Sequence, residues 1–502
     1  MTTAATLPAA PPRDPVHSLH IRGLLRRAGT PPRDYHRWLD HTATTRGCIR
    51  PVRLTGQLHT VDNTTGEILK TRHTHELPDG VIYLPCGDRR ASVCPPCAET
   101  YRADTYQLIK AGLAGGKGIP DTVTNHPAVF ATLTAPSFGP VHTRSINTRN
   151  GKIRPCRMRR NVEVCPHGRL MSCTARHAET SPAIGRPLCL DCYDHTHHIV
   201  WNSWAGELWR RTTITLIRLF KPLAEAHGVK LRISYGKVAE YQRRGVVHFH
   251  ALIRLDTVDP SDPDAILAPP PGITAEHLGE LLAAAVTATR FHTPIYPGTE
   301  HSWPITWGQQ LDIRPVAGMG NGGQISAEAV AAYLAKYATK ATEPTGLPVT
   351  ARLNGETAQH YANRDTHIGR LIAIAWELGA IPADHTTDQQ RQDWHDTYGR
   401  LRRWAHMLGF GGHFATKSRR YSTTHKALRA ARRTWQRDNR AQHRRSDHDE
   451  HGEETTLIVT ALTLAGIGWN TTADAQLAAD AAARAREQRQ TAKEERLIRT
   501  VS

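Results

Sequence analysis

The chain has 502 residues, enough for several domains with buried cores. Lys and Arg outnumber Asp and Glu by 64 to 46, and with a pI near 9.8 this favours a polyanionic partner, most commonly nucleic acid. No run approaches the roughly 18 apolar residues that cross a bilayer, and the opening MTTAATLPAAPPRDP lacks an apolar stretch of signal-peptide length, so a cytoplasmic protein with no membrane partner is expected.

Residues 1–33 are rich in Pro, Ala and Arg, and residues 1–45 read as a mobile leader with at most one helix. Residues 46–125 form an N-terminal, zinc-ribbon-like region of short strand-like runs, with VIYL at 81–84 leading into Cys86 and a helix starting just after Cys97. The β-branched, apolar run 129–134 predicts a strand, and residues 140–200 are a Cys/His-rich insertion with little periodicity. Trp201, Trp204, Leu208, Leu216, Leu219 and Leu223 recur near helical spacing and predict one long helix closed by Gly228. KLRISYGKVAEY, a polar turn and VVHFHALIRL then predict a β-hairpin.

Beyond a Pro/Asp linker at 259–272, a helix at 274–289 has Thr274 as its cap. A strand at 309–316 leads through MGNGG (319–323) to a second capped helix, which begins after Ser326 and stops before Pro344. Residues 346–425 read as a helical, basic DNA-binding region and 426–502 as a basic and charged tail, a solvated helix or disorder after 470. A single domain is expected over 126–345, interrupted by the insertion.

Three constellations carry chemistry. In His248-Phe249-His250 both imidazoles face one side of a strand, where they can share a divalent metal. If the hairpin turns near Arg244, Glu240 lies on the same side and adds the oxygen ligand that Mg²⁺ or Mn²⁺ prefers. The bland alternative is a polar sheet face. In YLAKYATK, Tyr333 and Tyr337 stack on one helical face and Lys336 and Lys340 repeat the spacing beside them; tyrosines so spaced also pack ordinary cores. In FATLTAPSFG, an alternating strand starting at Phe130 ends in a Pro/Ser/Gly loop.

There are nine cysteines, and two pairs have two-residue spacing, Cys94 with Cys97 and Cys189 with Cys192. In a cytosolic chain these favour structural zinc over disulfides. Cys86, Cys94 and Cys97 need a fourth ligand, for which Cys48 is the best candidate, and Cys165, Cys173, Cys189 and Cys192 form a plausible second set. Cys156, His167 and His177 compete for places, and spacing does not choose among them. Residues 412–422 interleave Phe414 and Tyr421 with Lys417, Arg419 and Arg420, either a groove for single-stranded DNA or a solvated charge run.

Together the FxTLT strand, the His-hydrophobic-His strand and the tyrosine helix resemble the ordered motifs of HUH-family rolling-circle initiators, and YxxKYxxK is similar to the two-tyrosine form of small single-stranded DNA phages. The runs CGDRRASVCPPCAETYRAD, VCPHGRLMSC, AEYQRRGVVHFHALIRLD, AAYLAKYATKATE and GHFATKSRRYSTT resemble the replication initiators of actinobacterial integrative and conjugative plasmids over roughly residues 46–430. That resemblance implies an α+β HUH endonuclease core, an antiparallel sheet with flanking helices, carrying zinc knuckles and a helical C-terminal region. It implies nicking and joining of an origin, single-stranded or supercoiled, through a 5′-phosphotyrosine on Tyr333. Tyr337 would be the second nucleophile, and Lys336 would neutralise charge or lower the phenol's pKa. Lys340, Lys417, Arg419 and Arg420 would contact DNA, and host helicase and polymerase would be partners, since no GxxxxGK[ST] phosphate loop is present. A relaxase or transposase with the same chemistry, and a non-enzymatic zinc-ribbon regulator, are the rival expectations.

Overall fold

The computed structural model describes residues 29, 31–317, 325–340, 342–345, 347, 352–385, 387–444 and 456–501. Most of the leader and the MGNGG loop at 319–323 lie outside the described residues. The chain divides into two compact units, Met1–Tyr101 with Trp435–Ser502, and Arg102–Thr434. The first begins with helix α1 (Pro32–Thr42) and strands β1 (Val52–Asp62), β2 (Ile68–His73) and β3 (Ile82–Leu84), with β1 pairing antiparallel with both of the others. Helix α2 (Pro95–Ala114) starts here, between Cys94 and Cys97 and slightly ahead of the expected start after Cys97.

The second unit is built on a six-stranded sheet. Its elements are β4 (Ala128–Leu133), helix α3 (His195–Leu219), the hairpin β5 (Leu231–Tyr241) and β6 (Val247–Thr257), helix α4 (Ala275–Ala288), and a small hairpin of β7 (Arg290–His292) and β8 (Pro304–Thr306). There follow β9 (Leu311–Ala317), β10 (Ile325–Ser326), helix α5 (Ala327–Tyr337), helix α6 (His367–Leu378) and β11 (Ala415–Lys417). The strand order is β10-β9-β4-β6-β5-β11, and every pairing but β10 with β9 is antiparallel. Antiparallel sheets with helices confirm the α+β class.

Alternation along β6 sends its two sets of side chains to opposite faces. Phe249 meets Trp209 of α3 and Trp307, while Ala251, Ile253 and Leu255 share the same fully buried layer. α3 starts at His195, ahead of Trp201, because Asp194 caps it by accepting from the His197 N–H at 2.8 Å. It also stops at Leu219, where one helix through Leu223 was expected. Pro222 has no N–H to continue the ladder, and a short separate helix, Lys221–Ala226, follows.

Buried Asn202 of α3 fixes the hairpin's turn. Its Nδ2 donates to the carbonyls of Gly245 and Leu408, both at 2.9 Å, and its Oδ1 accepts from the Val247 N–H at 3.1 Å. Replacing Asn202 by leucine strands three buried backbone groups, each costing about 1–3 kcal/mol. Urea unfolding of Asn202→Leu is therefore expected to show a loss of several kcal/mol, against less than about 0.5 kcal/mol for an exposed α3 control such as Arg218→Ala.

On the opposite sheet face, Arg254 and Asp256 are wholly buried. Arg254 forks onto Asp256 at 2.7 and 3.0 Å, and Asp256 also meets His126 at 2.8 Å and accepts from the Ser234 hydroxyl at 2.6 Å. The guanidinium donates as well to the carbonyls of Gly112 and Tyr421, tying α2 and the strand-following segment to the sheet.

The chain returns to the first unit along helix α7 (His425–Arg444). Strand β12 (Thr456–Ile467) pairs antiparallel with β1 along nearly its whole length, and helix α8 (Thr472–Val501) follows. The helix agrees with one of the two expectations for the tail. The strand was not foreseen, although TLIVTALTLAGI has β-branched, apolar composition. Among the described residues no helix is long and apolar enough to cross a membrane.

Candidate active site

The β5–β6 turn is centred on Arg244, which sets Glu240 opposite His248 and Val238 opposite His250. Gln242 and Val246 close it by a 2.8 Å backbone bond, and Gly245 supplies the positive φ of +86°. Three ligand-type side chains therefore converge. The two Nε2 atoms are 2.8 Å apart, and Glu240 Oε2 lies 3.4 Å from His248 and 3.3 Å from His250. The FxTLT strand supplies the surroundings. Thr132 Oγ1 is 3.1 Å from His250 Nδ1, so a ring proton there leaves the Nε2 lone pair free for a cation. Phe130 stacks on His250 at 5.9 Å between centroids.

Helix α5, capped by Ser326 accepting from the Ala329 N–H at 3.2 Å, packs against β5. It brings the Tyr333 hydroxyl to 3.4 Å from His250 Nε2, with the residue 38% exposed and its ring edge-on to Phe130. Tyr337 lies beside it, ring centroids 4.5 Å apart, one helical turn on. Lys340 reaches Glu240 Oε1 at 3.4 Å and sits 4.2 Å from the Tyr337 ring centre. Lys336 is exposed, with its ammonium 5.8 Å from the same ring. The cation at the carboxylate is thus Lys340, expected on DNA, rather than Lys336, expected at the phenol.

Burial works against ionisation of Glu240, but hydrogen bonds from His248 and His250 outweigh it and hold the carboxyl at about 2. Burial lowers the His250 pKa, favouring the neutral imidazole that a metal requires. Burial, then Tyr337 and Glu240, push the Tyr333 phenol above its ordinary range. A neighbouring cation is therefore what this phenol needs in order to act as a nucleophile near neutral pH. Two imidazole nitrogens and an anionic oxygen within 3.4 Å of one another are ligand types that suit such a cation, so the donor set fits a divalent metal.

The cysteines gather in three places. Cys48, Cys86, Cys94 and Cys97 form one group in the first unit, with Cys86–Cys97 at 3.6 Å and Cys48–Cys94 at 3.8 Å between sulfurs. In the second unit, Cys165, Cys189 and Cys192 gather with His167, and Cys156 and Cys173 with His142 and His177. The expected set of Cys165, Cys173, Cys189 and Cys192 is therefore corrected. Cys173 pairs across an isolated bridge with Arg157, which draws it to the other group, and His167 takes its place. His142 was missed, since nothing local in VHTR marks it as a ligand.

The family described as replication initiator protein, pSAM2, matches residues 34–483. A replication initiator protein of Streptomyces ambofaciens is 40% identical over 482 residues, covering 94% of each chain. The chain belongs to this replication initiator family. No solved structure matches it.

For this family member the segment 412–422 needs correction as well. Phe414 and Tyr421 are buried, so they are not platforms for bases. Tyr421 fits over Gly112, where a Cβ would lie 2.3 Å from the ring, and its hydroxyl donates to the Ile109 carbonyl at 2.9 Å. β11 pairs with β5, and Lys417 donates to the carbonyls of Ser418 and Arg419 at 3.3 and 3.1 Å. Arg420 is paired with Asp264, which leaves Arg419 as the exposed cation of the three.

Proposed function

We propose that this initiator starts rolling-circle replication by nicking one strand of a plasmid origin and later rejoining it, in the manner of HUH endonucleases. The observation that carries this reading is the Tyr333 hydroxyl 3.4 Å from an imidazole that itself faces a second imidazole and a carboxylate. A polar sheet face or a packed tyrosine would account for either half, not for their convergence.

Glu240, His248 and His250 would hold Mg²⁺ or Mn²⁺, which supplies positive charge to the scissile phosphate and the attacking oxygen. Tyr333 Oη would attack phosphorus and give its proton to solvent, and the bond to the 3′ oxygen would break, that oxygen taking up a proton from solvent to leave a 3′ hydroxyl as primer. One phosphodiester is exchanged for one phosphotyrosine ester, so rejoining needs no nucleotide cofactor. Thr132 orients His250, and Phe130 limits the sway of both His250 and Tyr333. Lys340 balances Glu240 in the free protein and stands where it can meet phosphate when DNA arrives. Lys336 and Arg419, both exposed, would be further cations for the DNA backbone, and host helicase and polymerase would act on the opened origin. The thiol group around Cys48 would hold a structural zinc.

Supercoiled plasmid carrying the origin of the replicon that encodes this chain tests the reading. Conversion to open circle with Mg²⁺ or Mn²⁺, and none with EDTA, is expected. Equal relaxation in EDTA, or DNA binding with no nick under any divalent metal, overturns it.

A further inference from the structure

Between Phe138 and Tyr193 the second unit buries no Val, Ile, Leu, Met or aromatic side chain, and Met158, Val162, Val164 and Leu170 are exposed. Hydrophobic burial therefore does not order this insertion. What it contains instead is two clusters of four ligand atoms. In chain order the ligands come as pairs: His142 with Cys156, Cys165 with His167, Cys173 with His177, and Cys189 with Cys192. The first and third pairs meet in one cluster, the second and fourth in the other.

From this alternation we infer that the insertion is an interleaved binuclear zinc module, in which His142, Cys156, Cys173 and His177 form a metal site of their own and each ion depends on the other. The inference rests on the ligand geometry and is independent of the nicking reading. A tetrahedral zinc with bonds of about 2.3 Å to sulfur and 2.05 Å to nitrogen sets ligands about 3.3 Å apart for two nitrogens and about 3.6 Å for nitrogen and sulfur. Here His142 and His177 are 3.3 Å apart, Cys156 lies 3.7 Å from His142 and Cys173 3.6 Å from His177. In the second cluster His167 is 3.2 Å from Cys192 and 3.7 Å from Cys189. Four protein ligands in each set close both sites to water, the structural rather than the catalytic pattern.

The dependence follows from the topology. Residues 157–172, between Cys156 and Cys173, carry Cys165 and His167, so an empty first site frees both ends of the loop that feeds the second. Residues 168–188 carry Cys173 and His177 between ligands of the second site, and the converse holds. The module also backs the catalytic hairpin. Arg243 donates to the Ser181 carbonyl at 3.3 Å, and a Cβ on Gly185, whose φ is +87°, would lie 2.6 Å from the Arg243 backbone. That contact braces the turn joining Glu240 to His248.

Elemental analysis of the full chain, expressed with zinc and exhaustively dialysed, is expected to give three zinc ions per chain, one for each Cys/His cluster. Cys156→Ser and Cys189→Ser should each reduce the content from three to one, whereas Cys94→Ser reduces it to two. A wild-type content of two or fewer, or two ions retained in either insertion variant, overturns the interleaved pair. A gentler substitution guards against simple misfolding. His142→Cys is expected to keep three ions and, with Co²⁺ in place of zinc, to gain near-ultraviolet thiolate-to-cobalt absorption. Loss of metal in His142→Cys equal to that in His142→Ala, or a cobalt spectrum unchanged by the new thiol, shows that His142 is not a ligand.

Discussion

Tyr333→Phe is expected to lower origin nicking by about three orders of magnitude or more, the scale of losing a covalent nucleophile. Its hydroxyl is the one at 3.4 Å from His250, and the ring's other contacts, with Phe130 and Tyr337, survive in phenylalanine. The fold should therefore persist, with binding of origin DNA within about threefold of the parent, a change under about 1 kcal/mol. Tyr337→Phe is expected to behave differently. Tyr337 lies one turn further along α5 near the Lys340 ammonium, and on the proposed reading it would cut the regenerated origin when the fork returns. First-round nicking should persist while release of closed circles falls about tenfold or more. Full multi-round turnover in Tyr337→Phe, or normal nicking in Tyr333→Phe, would contradict this division of labour.

The second large effect belongs to the proposed metal ligands. His248→Ala and His250→Ala should each abolish detectable nicking in Mg²⁺ or Mn²⁺ while leaving DNA binding largely intact, because His250 is buried and His248 largely so, which leaves little of either imidazole for a phosphate backbone. Manganese titration followed by paramagnetic resonance reads the cause directly. Affinity should fall at least 10-fold in each histidine variant, the lower end for lost metal-site support. Thr132→Val, which keeps the shape of the side chain and removes the hydroxyl facing His250 Nδ1, should give a smaller loss in the same direction. Parental manganese affinity in His250→Ala would remove that residue from the site.

The hairpin and the convergence of Glu240, His248 and His250 were legible because two local rules suffice for them. Period-two alternation puts His248 and His250 on one face, and a turn centred on Arg244 makes Glu240 their neighbour by register alone. Ser326 marked the start of α5, and helical spacing then paired Tyr333 with Tyr337. Where the answer lay in non-local contacts, local rules failed. Cys173 stands closer in sequence to Cys165 than to Cys156, yet bridging with Arg157 draws it into the other cluster. Phe414 and Tyr421 have the composition of a stacking surface, and only the sheet edge and the bare Gly112 beneath Tyr421 show that they are core. β12 pairs with a strand from the opposite end of the chain, which no window of sequence reveals. Lys340 and Lys336 share a helical repeat, and the position of Glu240 alone distinguishes them.

The most direct measurement is the chemical identity of the protein–DNA bond. Origin DNA nicked by the wild-type chain in Mn²⁺ or Mg²⁺, trapped in detergent and digested with nuclease and protease, should yield one peptide from α5 bearing a 5′-linked nucleotide on Tyr333 in the first round. An adduct on Tyr337 alone or on a residue outside α5, a 3′ linkage, or a nick with no covalent protein would contradict the proposed chemistry.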